Sequence, residues 1–216
     1  MQPKINLIYS DTTEGIIGVK NDLYCKLSSD MKMFQKITST NFNNKENVLI
    51  MGYNTWKSIG KPLKNRINIV ISKNNKEEID IIDDVLCFES IKECLEYLID
   101  VNYGKIFAIG GNSIFKDILL NYFENIDLIY HTEIMENVPV DILIHNSTDL
   151  TFSGISLPQY MINKSIENLK HDYKKEVGKI YDFPTDQYIE KEIHYTENIY
   201  QKTENINHEE YQYLNI

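Results

Sequence analysis

Cysteine and histidine, the residues that cross-link small proteins or bind metals, are scarce in this sequence. Its 216 residues include three cysteines, Cys25, Cys87 and Cys94, and five scattered histidines. Cys87 and Cys94 lie too far apart for a zinc-binding pair, which usually has about two to four intervening residues. The N-terminus lacks the charged and then apolar layout of a signal peptide, so we expect reduced thiols in the cytoplasm. We therefore expect no metal site.

Long apolar runs and an excess of basic side chains are also missing. The longest apolar runs are far shorter than the roughly 20 residues that span a bilayer. The chain has 22 basic and 32 acidic side chains and a net charge of −10, which disfavours a surface that neutralises phosphates. We therefore expect neither a membrane segment nor a nucleic-acid partner, and any anionic ligand must be held by a local site.

The residues that are present predict one α/β domain. A composition of 42% hydrophobic and 25% charged residues is typical of a globular chain with a hydrophobic core. Short apolar runs alternate with stripes of apolar residues at helical spacing, which indicates a largely parallel sheet. The runs are residues 5–9, 48–51, 67–71, 85–88, 106–109 and 128–134. The stripes lie within residues 27–34, 91–98 and 114–122, and Ser90 with Glu93 forms a capping box before the second.

The C-terminal third has a weaker pattern. Residues 146–185 are polar and lack periodicity, so we expect long loops there with at most one strand and no functional residue. Residues 187–202 are rich in Tyr, Ile and Thr, which predicts closing strands in an antiparallel hairpin at the sheet edge.

Four blocks carry a resemblance to a known family. They are GIIGVKNDL at residues 15–23, LSSDMKMF at 27–34, LIMGYNTWKSIGKPLKNRINIVIS at 49–72 and IFAIGGNSIFK at 106–116. In this order and spacing they resemble dihydrofolate reductase over approximately residues 1–145. The resemblance implies an α/β fold with a mixed, mostly parallel central sheet of about eight strands flanked by about four helices. It also implies NADPH-dependent reduction of 7,8-dihydrofolate to 5,6,7,8-tetrahydrofolate, and binding of antifolate inhibitors.

Asp30 is the candidate acid. It lies in the first turn of a predicted helix on the same face as Phe34, so its carboxyl can point into an apolar cleft, where burial would raise its pKa. Local sequence alone favours a simpler interpretation, in which Asp30 complements the positive end of the helix. The resemblance implies instead that Asp30 holds the pterin and promotes protonation of the ring nitrogen beside the carbon that receives hydride. Thr132 matches a threonine that hydrogen-bonds this acid, whereas without the resemblance an ordinary β-branched strand residue is the favoured interpretation.

The resemblance also assigns the remaining substrate contacts. Arg66 matches an arginine that binds the carboxylate of the glutamyl tail, a task suited to a planar bidentate donor, whereas a strand-flanking arginine is otherwise usually solvated. Apolar positions matched to the walls of the pterin site, which would otherwise be assigned to the core, are Ile8, Met31, Phe34, Ile59 and Leu63. Cys25 replaces a catalytic-site tryptophan of the family. A catalytic thiolate is not expected, because no histidine or metal pattern accompanies Cys25.

Two junctions between a strand and a helix are matched to the cofactor, NADPH. At the first, Gly110 and Gly111 let the backbone approach a phosphate at the helix end. Such a pair is more often a simple tight turn, and the resemblance implies that it carries a cis peptide. At the second, residues 51–55 offer another helix start with Thr55 as its cap.

Ser72 and Lys73 match the site of the 2′-phosphate. Because the family often has a basic residue at the position of Tyr53, we expect NADPH to be preferred over NADH by less than usual. All positions matched to the cofactor are Ser10, Ile17, Gly18, Gly52, Tyr53, Asn54, Thr55, Ser72, Lys73, Ile109, Gly110, Gly111, Asn112, Ser113, Ile114 and Phe115.

The last residues suggest a second enzyme. The segment HEEYQYLNI at residues 208–216 resembles the opening of thymidylate synthase in chains that carry both activities, although an acidic tail is an alternative. We expect a reductase domain at residues 1–204, with a linker and the start of a truncated synthase domain at 205–216. The isolated domain is expected to be a monomer and the full-length chain a homodimer.

Two competing functions remain open. A related reductase of pyrimidine or flavin precursors is disfavoured by Asp30 together with Arg66, because that substrate has no glutamyl tail. A non-catalytic domain that supports a fused synthase is favoured only by the departures from the family at Tyr24-Cys25 and at Phe115, where many members have tyrosine.

Overall fold

A computed structural model describes residues 2–139, 143, 150–152, 161–163, 174–183 and 185–202. The first part of the chain forms β1 (Ile5–Thr12), β2 (Ile16–Val19), β3 (Asp22–Leu23), β4 (Cys25–Lys26), α1 (Ser28–Ser39), β5 (Asn47–Gly52), α2 (Tyr53–Ile59), β6 (Arg66–Ile71), α3 (Lys76–Asp80) and β7 (Val85–Phe88). It continues with α4 (Ile91–Leu98), β8 (Ile106–Gly110), α5 (Asn112–Asn121), a 3-10 turn (Phe123–Asn125), β9 (Ile126–Ile134), β10 (Leu150–Phe152), β11 (Met161–Asn163), β12 (Lys174–Asp182) and β13 (Gln187–Lys202).

One large sheet organises these elements. Its strand order is β4-β12-β13-β9-β1-β8-β5-β6-β7, with β11 added to β13. The strands from β9 to β7 pair in parallel, whereas β13, β12 and β4 pair antiparallel. A small second sheet has the order β10-β2-β3. All six predicted apolar runs are strands, and the mixed, mostly parallel fold class is confirmed. Within the described residues there are five α-helices rather than about four, because the short α3 carries no apolar stripe.

The central strands are mostly apolar because helices cover both faces of the sheet. All six residues of β5 are buried. Val48 and Ile50 belong to the core cluster that contains the buried residues of α4 and α5. Leu49 and Met51 point to the other face and pack with Trp56 of α2. The predicted capping box is formed in part, since the Ser90 side chain accepts a hydrogen bond from the Glu93 amide.

The prediction for residues 146–185 was wrong. Three strands, β10, β11 and β12, lie there instead of at most one, and the nine-residue β12 pairs along its whole length with β13. Its apolar signal is weak because one face is solvated, and its buried positions include Gly178 and Ile180. Two ion pairs, Lys174 with Glu197 and Lys175 with Glu192, connect β12 to β13. The amino-acid composition of the segment does not predict which residues of the two strands pair. The prediction of closing strands in an antiparallel hairpin within residues 187–202 was only partly right: these residues form the single strand β13, its hairpin partner is β12, and β13 lies inside the sheet between β9 and β12, not at its edge.

Two further observations bear on the sequence-based expectations. Among the described residues, no helix combines the length and the apolar character that a bilayer crossing requires. The predicted synthase-like segment, residues 208–216, lies outside the described residues, as does the predicted boundary at residue 204.

Candidate active site

A cleft of about 830 Å³ opens where the parallel strands end at their carboxyl termini. It lies beside the junctions from β5 to α2 and from β8 to α5, the location where open α/β sheets bind ligands. Of the residues singled out in the sequence, those that line the cleft are Ile8, Ser10, Ile17, Gly18, Asp30, Met31, Phe34, Gly52, Tyr53, Asn54, Thr55, Ile59, Leu63, Ile109, Gly110, Gly111, Asn112, Ser113, Phe115 and Thr132. Folding therefore brings together segments from five parts of the sequence.

Asp30 and Thr132 meet inside this cleft. Asp30 projects from the first turn of α1, and Thr132 lies buried in β9. The Thr132 hydroxyl donates a hydrogen bond of 2.6 Å to Oδ1 of Asp30. Burial raises the pKa of Asp30, and the negative charge of Glu176 adds to this, while the Thr132 hydrogen bond and His131 oppose it. The net effect is a carboxyl that holds its proton at a higher pH than an exposed aspartate does.

The glycine pair forms a second wall of the cleft. The Gly110–Gly111 peptide is cis, as the family resemblance implied, and Gly110 has a φ of +114°. A Cβ atom on Gly111 would lie 3.3 Å from the Thr55 hydroxyl oxygen, so only the backbone fits there comfortably. The prediction that Thr55 caps α2 was wrong. The residue before that helix is Gly52, no side chain caps it, and Thr55 lies opposite the glycine pair instead.

The start of α5 offers polar groups to a ligand. This helix follows Gly111, and no side chain caps its first turn. The first amides of a helix have no acceptor within the helix and carry its positive end, so they suit an anion such as a phosphate. The buried Oδ1 atom of Asn112 also has no hydrogen-bond partner in the part of the chain that the structure describes. The residues present therefore fit a phosphate-bearing cofactor.

Arg66 does not line the cleft, but it is held near one of its walls. It opens β6, where its Nη1 donates a hydrogen bond of 2.9 Å to the Thr38 hydroxyl of α1. Its Nε donates a second bond of 2.9 Å to the Lys64 carbonyl. These two bonds orient the guanidinium plane beside the helix that carries Asp30 and Phe34.

Four other predicted residues also lie outside the lining. Cys25 is buried under the cleft, and this burial raises the pKa of its thiol to about 12, so the thiol stays protonated at neutral pH. Ser72 is nearly buried and donates a hydrogen bond to Asn75, whereas Lys73 beside it is exposed. Ile114 packs beneath Gly52, where an added Cβ would come within 3.3 Å of it.

Sequence reasoning missed several lining residues: Tyr9, Asn21, Asp22, Leu23, Lys26, Met33, Ser58, Ile71, Tyr130 and Thr151. Tyr130 could have been found, because it lies two residues before Thr132 and strand residues at that spacing share a face. Thr151 could not, since β10 lies in a stretch without periodicity and reaches the site only by pairing with β2.

A mostly parallel sheet with a cleft at the carboxyl ends of its strands, lined by glycines and a helix start, places this chain in the class of open α/β proteins with a ligand cleft at that edge. The family model for dihydrofolate reductase matches residues 4–176. The viral dihydrofolate reductase of Saimiriine herpesvirus 2 (strain 488) is 34% identical over 177 residues, which cover 77% of this chain and 76% of that protein. The dihydrofolate reductase of Pneumocystis carinii is 33% identical over 155 residues, 65% of this chain and 73% of that protein.

Chains with two activities also match. The bifunctional dihydrofolate reductase-thymidylate synthase of Zea mays is 28% identical over 239 residues, which cover 100% of this chain and 44% of that protein. The chain spans less than half the length of such relatives, with 34% for the bifunctional protein of Paramecium tetraurelia. The chain belongs to the dihydrofolate reductase family, and the resemblance seen in the four sequence blocks is confirmed.

Proposed function

We propose that this chain catalyses the NADPH-dependent reduction of 7,8-dihydrofolate to 5,6,7,8-tetrahydrofolate. The observation that carries the proposal is the Asp30 carboxyl, held at 2.6 Å by the Thr132 hydroxyl inside a cleft that also contains the cis Gly110–Gly111 peptide. One cleft thus provides an acid and a backbone cradle for a phosphate. The reaction needs both, because a proton and a hydride must reach the same ring.

Asp30 supports the proton transfer. We assign to its carboxyl the binding of the pterin amide and exocyclic amine, with Thr132 fixing one oxygen. Burial raises the pKa of Asp30, so its carboxyl remains protonated nearer to neutral pH than that of an exposed aspartate. This proton is then available to the pterin ring nitrogen. When bound, the cofactor supplies the hydride from its reduced nicotinamide.

The apolar walls hold the rings and exclude water. Ile8 lines the cleft as part of one hydrophobic cluster, and Phe34, Ile59 and Leu63, which also line it, pack against that cluster. Met31 is 47% exposed although it lines the cleft, and a ring system bound there would cover this apolar surface. Water exclusion strengthens the polar contacts of Asp30 and limits loss of the proton to solvent.

The cofactor assignment uses the start of α5 and the loop after β6. The free amides of the first turn of α5 and the Oδ1 of Asn112 would contact the phosphate and amide groups of NADPH. Lys73 is exposed and cationic, and with Ser72 it would bind the 2′-phosphate that distinguishes NADPH from NADH.

A spectrophotometric assay tests the proposal. NADPH absorbance is followed with dihydrofolate, with and without methotrexate, and the specificity constant is measured again with NADH. We expect turnover that methotrexate inhibits and a larger specificity constant with NADPH. A folded protein that binds NADPH but does not consume dihydrofolate would contradict the proposal and favour a non-catalytic domain. A preference for NADH would contradict the cofactor assignment alone.

Arg66 provides a prediction for substrate binding. Replacing it with lysine should raise KM for dihydrofolate by roughly 10-fold or more, because a bidentate contact to the glutamyl carboxylate is worth about 1.5–3 kcal/mol. The turnover number should change little, since the tail lies far from the reacting carbon. Steady-state kinetics measure both constants, and Lys64→Arg, at an exposed neighbour, is the matched control. An unchanged KM in the Arg66 variant would remove this residue from the substrate site.

We also propose that the chain works as the reductase part of a bifunctional protein in the cytoplasm. Support for the fusion comes from bifunctional relatives such as that of Plasmodium berghei (strain Anka), which matches over 91% of this chain. Support for the compartment comes from its three cysteines, all of which are free and buried. The reductase domain alone would be a monomer, and the synthase would provide dimerisation.

A further inference from the structure

Helix α1, which carries Asp30, begins without a cap of its own. The residue before it, Leu27, has no side chain that can accept a hydrogen bond from the first-turn amides. The first four amides of a helix need acceptors from elsewhere, and a buried helix end without them is destabilised. Because Asp30 lies in this first turn, any fraying there would displace its carboxyl from Thr132.

The missing acceptor is supplied by Glu176 of β12, far away in sequence. Its Oε1 accepts a hydrogen bond of 2.6 Å from the Ser28 amide, and its Oε2 accepts one of 3.2 Å from the Ser29 amide. A third hydrogen bond, of 2.6 Å, connects the Ser29 hydroxyl to the Tyr195 hydroxyl of β13. The carboxylate also lies at the positive end of α1, where a negative charge is stabilising.

The sheet holds Glu176 in this place. β12 pairs with β4, the strand immediately before α1, through Ile180 and Cys25. A Cβ atom on Gly178 would lie 2.6 Å from side-chain atoms of both Leu27 and Ile193, so β12 is pressed closely against the start of α1. The backbone that carries the Glu176 side chain is therefore held against the start of α1.

We propose that Glu176 is a positioning residue for the reduction: it caps α1 from a distant strand and thereby fixes the carboxyl of Asp30 in the cleft. The proposal rests on the function assigned to Asp30 above. It adds a second carboxylate that acts through the first and does not itself contact substrate.

The charges around Asp30 agree with this role. Burial raises the pKa of Asp30, and the carboxylate of Glu176 raises it further. Thr132 and His131, both from β9, act in the opposite direction. From β4, the Cys25 thiol is protonated at neutral pH, because burial raises its pKa to about 12. From β13, the Tyr195 hydroxyl contacts Ser29.

Two variants separate the cap from the charge. Glu176→Gln keeps an oxygen acceptor for the first-turn amides but removes the charge, whereas Glu176→Ala removes both. Glu190→Gln is the control, because Glu190 is an exposed glutamate of the same hairpin that pairs with Lys179. We expect Glu176→Ala to lower Tm by about 2–4 °C and to raise KM for dihydrofolate. Glu176→Gln should keep most of that stability.

The pH dependence is the decisive readout. A rate that depends on protonated Asp30 falls as pH rises through the pKa of that residue. Glu176→Gln should therefore move the falling limb of kcat to lower pH and reduce turnover severalfold at pH 8. Carbon-13 NMR of the carboxyls, with Asp30 assigned by its loss in Asp30→Asn, should show the same downward shift in titration.

The NMR titration keeps this proposal independent of the assay. If the protein does not reduce dihydrofolate but Asp30 titrates at lower pH in Glu176→Gln, the proposed function fails and the coupling between the two carboxyls stands. If the titration of Asp30 and the pH profile both match wild type and Glu190→Gln, Glu176 has no role beyond stability and the proposal is overturned. That outcome can be read from Glu176→Gln even if Glu176→Ala does not fold.

Discussion

Replacing Asp30 with asparagine is expected to lower kcat for dihydrofolate by roughly 100- to 10,000-fold at neutral pH, the range that a positioned acid contributes. Asparagine retains the size of the side chain and can still accept the hydrogen bond from Thr132. It cannot hold the proton that the pterin ring nitrogen must receive. The loss should be smaller at low pH, where solvent protonates the substrate without help, so the profile of the variant should rise steadily with acidity.

Stopped-flow and steady-state measurements across pH test this prediction, with Asp100→Asn as the control for an exposed aspartate after α4. Binding of NADPH should be nearly unchanged in both variants, because Asp30 lies on the substrate side of the cleft. Full turnover by Asp30→Asn at neutral pH would show that Asp30 is not the acid and would contradict the proposed mechanism.

The largest expected effect on stability comes from a buried pair next to this site. Asp11 of β1 is 6% exposed and His131 of β9 is 9% exposed, and Oδ1 of Asp11 lies 2.6 Å from Nε2 of His131. The His131 ring stacks on Tyr9, with centroids 4.6 Å apart and an interplanar angle of 22°. Asp11→Ala should lower the free energy of unfolding by about 3–5 kcal/mol, because it leaves His131 buried without its partner.

A much smaller change in stability is expected when both partners are replaced together. The double variant Asp11→Leu with His131→Leu fills the same space with apolar groups and should unfold within about 1–2 kcal/mol of wild type, since no buried polar group is left alone. Urea denaturation of Asp11→Leu, His131→Leu and the double variant completes a thermodynamic cycle. Additive losses would mean that Asp11 and His131 do not depend on each other.

The sequence predicted the parallel half of the sheet and most of the cleft. Those strands are buried on both faces and therefore read as continuous apolar runs, and the helices that cover them carry clear stripes. Asp30 and Thr132 are 102 positions apart. Only the family resemblance predicted their contact, because no local sequence pattern indicates which strand a helix will pack against.

The antiparallel half was harder to predict, for a physical reason. β12 has a solvated face, so charged residues such as Lys175 and Lys179 interrupt its apolar signal. In such a strand the sequence does not distinguish Glu176 from an ordinary surface charge, although it caps a helix nearly 150 residues earlier in the chain. The Asp11–His131 pair was missed in the same way, because cross-strand register decides whether two polar residues on separate strands meet.

The position of β13 has a consequence for synthesis on the ribosome. This strand supplies the hydrogen-bonding neighbour of β9 on the side away from β1, and Thr132 of β9 lies directly opposite Glu197. A nascent chain that has emerged only as far as β9 therefore exposes an open strand edge next to the residue that orients Asp30. Such edges attract other unfolded chains. Assembly of the proposed acid site and protection against misassembly thus depend on the same late event, the addition of residues 187–202 to the sheet.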